Sequence, residues 1–310
     1  MKPETVFDVF GLGAVSIDFL GMIGSWPEQG VKVRLNDLKI TGGGLVATAL
    51  TTVARLGGKA AIAANLGTSF FAEQSMGALH DEGIDTNNVI RDHGDPVVSF
   101  ILTDGNSGER NIFFSRNNVS YPSPEEFPDK MWYEKCRVLL IDHGTGNAGV
   151  KTARMAREKG IPVIIDAERA EPEISQLLDL SDHIIVGKRF AALYTDKEDE
   201  RDMIRSLQTR DGQVVIITLG DRGLIGCDNG SYFTMSAIPV SVVDTTGCGD
   251  AFHGAYALGI SRNWNIRKSS LFASGAAAMK AMKPGGRDGL PHHEELMKFM
   301  EQAGFDLRNS

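Results

Sequence analysis

Cysteine is scarce in this 310-residue chain: Cys136, Cys227 and Cys248 are widely spaced and odd in number. That pattern excludes a disulfide framework and a paired-cysteine zinc site, and it suits a reducing compartment. Long apolar runs are lacking too, so no window can span a bilayer. The N-terminal MKPETVFDVF carries charges where a secretory signal needs an apolar stretch. Positive charge is in short supply: 32 Lys and Arg face 40 Asp and Glu, a net charge of −8, and the basic residues are scattered. Neither nucleic acid nor an anionic membrane is an expected partner. There are no internal repeats or low-complexity tracts. A cytoplasmic globular protein is what these absences leave.

What the chain has in quantity is glycine, 35 residues of it, set between short apolar runs. Val6–Asp18 reads as a strand running into glycines. Gly42–Gly44 opens a helical stretch that Gly57 and Gly58 close. KAAIAANLG reads as a second buried strand, and FFAEQSMGALHDEG as a helix closed by Gly83. CRVLLIDHG, IPVIIDA, DHIIV and GQVVIITLG are further apolar runs of the kind shown by strands covered on both faces. Helical stretches such as NAGVKTARMAREKG separate them. The alternation predicts an α/β fold, a doubly wound, mainly parallel sheet flanked by helices. Val31–Ile40 and Val97–Ser115 break the rhythm, the second around a hairpin-like turn at Asp104–Gly108. They predict a small β-sheet projecting from the body as a lid.

One stretch carries chemistry: VVDTTGCGDAFHGAYALG, Val242–Gly259. A strand ending near Val243, a glycine turn and a small-residue helix would place Gly247, Cys248 and Gly249 at a helix N-terminus. Amides there lack intrahelical partners and the macrodipole is positive, so they suit a phosphate. Asp250, one residue on, stands where a carboxylate can take the proton of a hydroxyl brought to that phosphate. An acidic residue at a helix N-terminus is also favourable without any function. The pattern alone leaves both readings open.

DTTGCGDAFHGA closely resembles the C-terminal signature of the ribokinase-like (PfkB) carbohydrate kinases. The resemblance implies one ribokinase-like kinase domain over 1–310, with lid segments at 14–41 and 96–120. It gives Gly247, Cys248 and Gly249 the part of an anion hole and Asp250 that of general base. Asp18 in GLGAVSIDFL matches the acidic residue that holds sugar hydroxyls, and Gly43 and Gly44 match the glycine motif. Thr48 falls where the family's sugar-contacting Asn stands. Thr218, Gly220 and Gly223 in ITLGDRG match a segment beside the ATP phosphates and ribose, and Thr246, Gly247 and Gly249 join them there.

The ending PGGRDGLP, with the triple glycine upstream, looks most like the branch containing sulfofructose kinase. Lys32 would match that branch's lid lysine, but His143–Thr145 stand where its arginine is expected. Arg116 is the alternative acceptor contact. The family's NxxE motif, which helps organise Mg2+, is replaced by Gly187 and Phe190, so no protein ligand for the metal is assigned. The implied activity is ATP- and Mg2+-dependent phosphorylation of a sugar hydroxyl, on a ketose, a sugar acid or a related carbohydrate. The implied assembly is a homodimer joined through the lid. A nucleoside kinase, and a catalytically silent sugar-binding protein on the same fold, are the alternatives.

Weaker signals lead elsewhere. GLGAVS begins like a dinucleotide fingerprint, but Ser16 stands for the third glycine. His292 and His293 beside Glu294 and Glu295 lack a third ligand group and read as a helix start. His253 reads as packing beneath the glycine turn. Cys248, at a helix N-terminus, is expected to carry a lowered thiol pKa, so that its oxidation or alkylation reduces activity.

Overall fold

The computed structural model describes residues 7–106 and 110–305, so part of the turn expected at Asp104–Gly108 lies outside the described residues. Strand β1 (Phe7–Leu12) is followed closely by β2 (Ser16–Ile23), and β3 (Asn36–Gly43) leads into α1 (Leu45–Arg55). Then come β4 (Ala60–Asn65), α2 (Phe70–Asp81), β5 (Asp85–Ile90), β6 (Val97–Asp104), β7 (Arg110–Ser115) and the short α3 (Trp132–Lys135). From β8 (Cys136–Asp142) the chain alternates through α4 (Gly146–Glu158), β9 (Val163–Ala167), α5 (Ile174–Leu180) and β10 (His183–Gly187). Helices α6 (Lys188–Thr195) and α7 (Glu200–Leu207) precede β11 (Val214–Thr218) and the hairpin of β12 (Leu224–Asp228) and β13 (Ser231–Met235). Helices α8 (Cys248–Ser261), α9 (Ile266–Ala281) and α10 (His293–Gln302) follow.

The main sheet has the order β13-β12-β11-β10-β9-β8-β1-β4-β5. Strands β11 to β5 in that order pair in parallel, and only the β11–β12 and β12–β13 pairings are antiparallel. The doubly wound, mainly parallel α/β sheet is therefore present. Within the apolar runs, alternate side chains enter two separate cores. Val138, Leu140, Ile164 and Ile185 pack with α1, α8 and α9. Leu139, Ile141, Ile165 and Ile184 pack with α4, α5 and α7. Continuous hydrophobicity is the signature of such two-faced burial.

Winding starts at β1 and proceeds outward in both directions, so the order switches between β1 and β8. The carboxyl ends of strands at such a switch form the crevice where α/β proteins hold ligands.

A second sheet, β3-β2-β6-β7, stands apart from the first. Two expectations change here. The single strand expected over Val6–Asp18 is two strands in different sheets. At Gly13–Val15 the chain leaves the main sheet, held by the Ala14 amide donating to Asp142 Oδ2 at 2.5 Å. The strand expected to end near Val243 does not form either. Val242 and Val243 are both 62% exposed, and the amides of Val243 and Asp244 donate to the Ala281 carbonyl at the end of α9. Both amides are thus engaged by the end of α9 rather than by a strand. Among the described residues no helix is long and apolar enough to cross a membrane.

Candidate active site

The carboxyl ends of β1, β8 and β9, the N-terminus of α8 and one face of the second sheet enclose a cleft of about 350 Å3. Its wall brings together Asp18, Gly44, Arg116, Thr246, Gly247, Gly249 and Asp250, residues far apart in sequence.

At the α8 end, Gly247 is the N-cap with φ 78°, in the left-handed region that favours glycine. A side chain there would also meet the Gly286 carbonyl, so the turn and the 285–287 loop can touch only through a glycine. The amides of Gly247, Gly249 and Asp250 donate to no described residue, whereas the Cys248 amide donates to the Thr245 carbonyl at 3.2 Å. Cys248 is thereby taken out of the expected anion hole, and it does not line the cleft. Its thiol is pushed up rather than down: burial comes first, and Asp244 and Asp250 add to it against Lys280. The helix N-terminus is outweighed by desolvation.

Asp244 holds this turn. One carboxylate oxygen accepts from the Thr246 amide (2.8 Å), the Thr246 hydroxyl (2.7 Å) and Arg110 Nη1 (2.9 Å); the other accepts from the Gly285 amide at 2.8 Å. Burial alone would raise its pKa, but these donors and Lys280 hold it below the ordinary value. Lys280, itself buried, donates to the Asp244 carbonyl at 2.9 Å and the Lys283 carbonyl at 3.0 Å. His253, one turn along α8, places Nδ1 2.8 Å from the Gly249 carbonyl and Nε2 3.1 Å from the Ile185 carbonyl. It braces the turn by hydrogen bonds as well as by packing.

Asp250 carries a carboxyl raised well above the ordinary value by burial first, then by Asp166 and Glu168, with Arg287 opposing. Asp18 is also raised by burial, against hydrogen bonds from Ser16 and Ser99 and the charge of Arg287. Gly43 leaves room for it, since a side chain at that position would collide with the Asp18 carboxylate. Gly44 faces the cleft beside Ala14, and Asp142 ties that corner down by accepting from the Ala14 and Gly144 amides. Arg116 lies on the wall 3.6 Å from Glu171 Oε1.

Other expected contacts lie elsewhere. Thr48 is 1% exposed and gives its hydroxyl to Arg287 as acceptor at 3.4 Å, away from the cleft. A short hydroxyl on α1 does not reach the wall. Lys32 sits in an exposed stretch between β2 and β3 and is not on the wall. Thr218, Gly220 and Gly223 lie at the carboxyl end of β11, beyond this cleft along the same sheet edge. Gly187 pairs in register with Thr218 and Phe190 is buried, so neither offers a ligand there. Sequence reasoning missed Arg110, Asp142, Glu168 and Arg287. Each is an isolated charged residue in an unremarkable run; only Arg287, inside PGGRDGLP, carried any signal.

Among the described residues, no three of His, Cys, Asp and Glu come together as a metal cage.

The glycine turn of α8 and the Asp250 carboxyl thus share one wall of the cleft. The model for the pfkB family carbohydrate kinases matches residues 7–293, and the chain belongs to that family. It is 24% identical to the ribokinase of Haemophilus influenzae over 301 residues, covering 94% of this chain and 98% of the relative. It is 28% identical to fructokinase-1 of Oryza sativa subsp. japonica over 289 residues, covering 84% of this chain and 88% of the relative. The structure of Arabidopsis thaliana ribokinase complexed with ribose and ATP superposes with a TM-score of 0.83 at 20% identity, covering 97% of this chain and 100% of that one. The chain is a carbohydrate kinase, and its fold is ribokinase-like.

Proposed function

We propose that this kinase transfers the γ-phosphoryl group of ATP to a hydroxyl of a ketose, a sugar acid or a related carbohydrate, with Asp250 as the base. The observation that supports it is the placement of the Asp250 carboxyl, the unpaired amides of Gly247 and Gly249, and Asp18 on one wall. Asp18 accepts hydrogen bonds from acceptor hydroxyls and orients them, with Gly44 and Arg116 completing the acceptor side. Asp250 takes the proton of the attacking hydroxyl as its oxygen bonds to the γ-phosphorus and the bond to ADP breaks. The Gly247 and Gly249 amides face the charge that builds on the transferring group. Thr246 joins them, and the remainder of ATP lies along the edge at Thr218, Gly220 and Gly223. Mg2+, carried by the nucleotide, neutralises phosphate charge.

The second sheet is the lid, and closure over the cleft excludes water as a competing acceptor. Its outer apolar residues, among them Leu38, Ile40, Phe100 and Phe113, are exposed, and a second copy of the chain would cover them. The unpaired cysteines suit a cytoplasmic location.

The test is ADP release from ATP and Mg2+ across ketoses, aldoses, sugar acids, sulfosugars and nucleosides, with wild type and Asp250→Asn. Acceptor-dependent release that Asp250→Asn loses is the expected result. Sugar binding without turnover by wild type would overturn the reading in favour of a silent sugar-binding protein.

A further inference from the structure

Lys280, in the last turn of α9, is the one buried lysine among the described residues, with 0% of its surface exposed. An ammonium is seldom taken wholly out of water unless hydrogen bonds compensate it. Its Nζ donates to the carbonyls of Asp244 (2.9 Å) and Lys283 (3.0 Å). Among the described residues nothing else donates to either carbonyl. Both partners are acceptors, as suits a group with three N–H donors and no lone pair. A side chain at Gly289 would crowd the Lys280 stem, so that glycine keeps the slot open. The surroundings call for a cation: the 16-residue α9 presents its negative end here, and the Asp244 carboxylate stands on the other side.

Three segments meet around this ammonium: the end of α9, the turn ahead of α8, and the loop 285–289. The Val243 and Asp244 amides donate to the Ala281 carbonyl. The Asp244 carboxylate accepts from Thr246 and from the Gly285 amide, and Gly247 lies directly against the Gly286 carbonyl. Thr246 and Gly247 are on the cleft wall, and Lys280 is not. Lys280 therefore touches no ligand in the cleft and acts through Asp244. We propose that Lys280 is a built-in cation, a positioning residue that holds the turn in shape for the phosphates of ATP, so that no free monovalent cation is needed there. This rests on the reading of that turn as the phosphate site. A phosphate at the Gly247 and Gly249 amides has the negative end of α9 and a carboxylate behind it, and the ammonium offsets both.

The experiment is calorimetric titration of ATP and Mg2+, without acceptor, into wild type, Lys280→Met and Lys280→Ala. Met fills the slot without a charge, so its Kd for ATP should rise about tenfold or more, the scale of one lost charge-assisted hydrogen bond. Ala leaves a slot that fits propylammonium, which should restore most of the affinity. Tetramethylammonium, a cation without an N–H, should restore none, and Lys280→Met should respond to neither. Exchange of K+ for tetramethylammonium should leave wild type unchanged. If Lys280→Ala folds only with propylammonium present, the melting temperature reads the same rescue; if it does not fold at all, Lys280→Met decides alone. A folded Lys280→Met that binds ATP as wild type does would overturn the proposal. So would a folded Lys280→Ala that propylammonium fails to restore, or a wild type that needs K+ to bind. The titration requires no turnover, so a chain that binds ATP but transfers no phosphoryl group would sink the function proposed above and still decide the part of Lys280.

Discussion

The two sheets are built to opposite specifications. In the main sheet the central strands β8 to β11 are buried along nearly their whole length, and their side chains fill cores on both faces. In the second sheet, β7 is exposed from Arg110 to Ser115. The difference separates two roles. A doubly covered platform can hold Asp166 and, through α8 packed on it, Asp250 at fixed positions in a medium where their charges matter. A sheet with one wet face can be lifted and replaced. Asp18 belongs to the second sheet but sits at its root, where β2 pairs with the glycine end of β3. The distal parts are held to the body by exposed or half-exposed ion pairs, Arg110 with Asp244 and Lys39 with Asp288. Such pairs contribute little and release readily.

The largest effect should come from the platform. Asp250→Asn should lower kcat by about 10^2- to 10^4-fold in the ADP-release assay, the usual contribution of a positioned base. The same substitution should stabilise the fold at neutral pH. The folded carboxyl has its pKa raised, so the native state binds that proton more tightly than the unfolded chain does. Its contribution to stability is therefore present at low pH and lost as pH rises from the ordinary carboxylate value through the raised one. Asn is neutral throughout, so its melting temperature should exceed that of wild type at pH 7, and the gap should close toward pH 4. A variant both fully active and no more stable would remove the platform's claim to a strained base.

Stability should divide between the sheets in the same way. Leu140→Ala, in the fully buried core of β8, should destabilise by about 2–5 kcal/mol in chemical unfolding. Ile112→Ala on β7 should stay within about 0.5 kcal/mol for the isolated chain. Sedimentation of Phe113→Glu adds the assembly. A lid-paired dimer should dissociate while the melting of each subunit is preserved, whereas an unchanged mass would reject the second sheet as the dimer face. A smaller effect is expected for Arg110→Gln. Loss of a half-exposed pair, about 0.2–1 kcal/mol, corresponds to a KM rise of a few-fold at most, and the difference should shrink in high salt.

The same contrast explains what the sequence made legible. Strands covered on both faces declare themselves as apolar runs, and CRVLLIDHG, IPVIIDA, DHIIV and GQVVIITLG all became strands. The break between β1 and β2 was hidden because Gly11 and Gly13 read as one glycine-rich strand end. What parts them is a distant acceptor, Asp142, 128 residues away along the chain. Val242 and Val243 have β-branched side chains and still form no strand, because the amides of Val243 and Asp244 are taken by the Ala281 carbonyl at the end of α9. The glycine turn and Asp250 were legible as a motif with local geometry. Arg287, Glu168 and Asp142 were not. Their roles depend on which charges face one another across the cleft, and that follows only from the packing of α8 and the C-terminal loop against β1, β8 and β9.

Cys248 provides the finest test of the platform, because local and tertiary forces pull its thiol in opposite directions. A helix N-terminus lowers a thiol pKa, and from the motif alone that influence stands unopposed. In the folded chain burial dominates, and the Asp244 and Asp250 carboxylates reinforce it. The thiolate is the form that reacts, so alkylation by iodoacetamide at pH 7 should be slower than for a model thiol and should speed up as pH rises toward 9. Because the Cys248 amide is already engaged with Thr245 and its side chain lies off the cleft wall, Cys248→Ala should retain activity within about twofold. Fast alkylation at neutral pH, with loss of activity that Cys248→Ala abolishes, would mean that the dipole prevails over desolvation. The α8 turn would then be more solvated than the upward shift of its thiol implies.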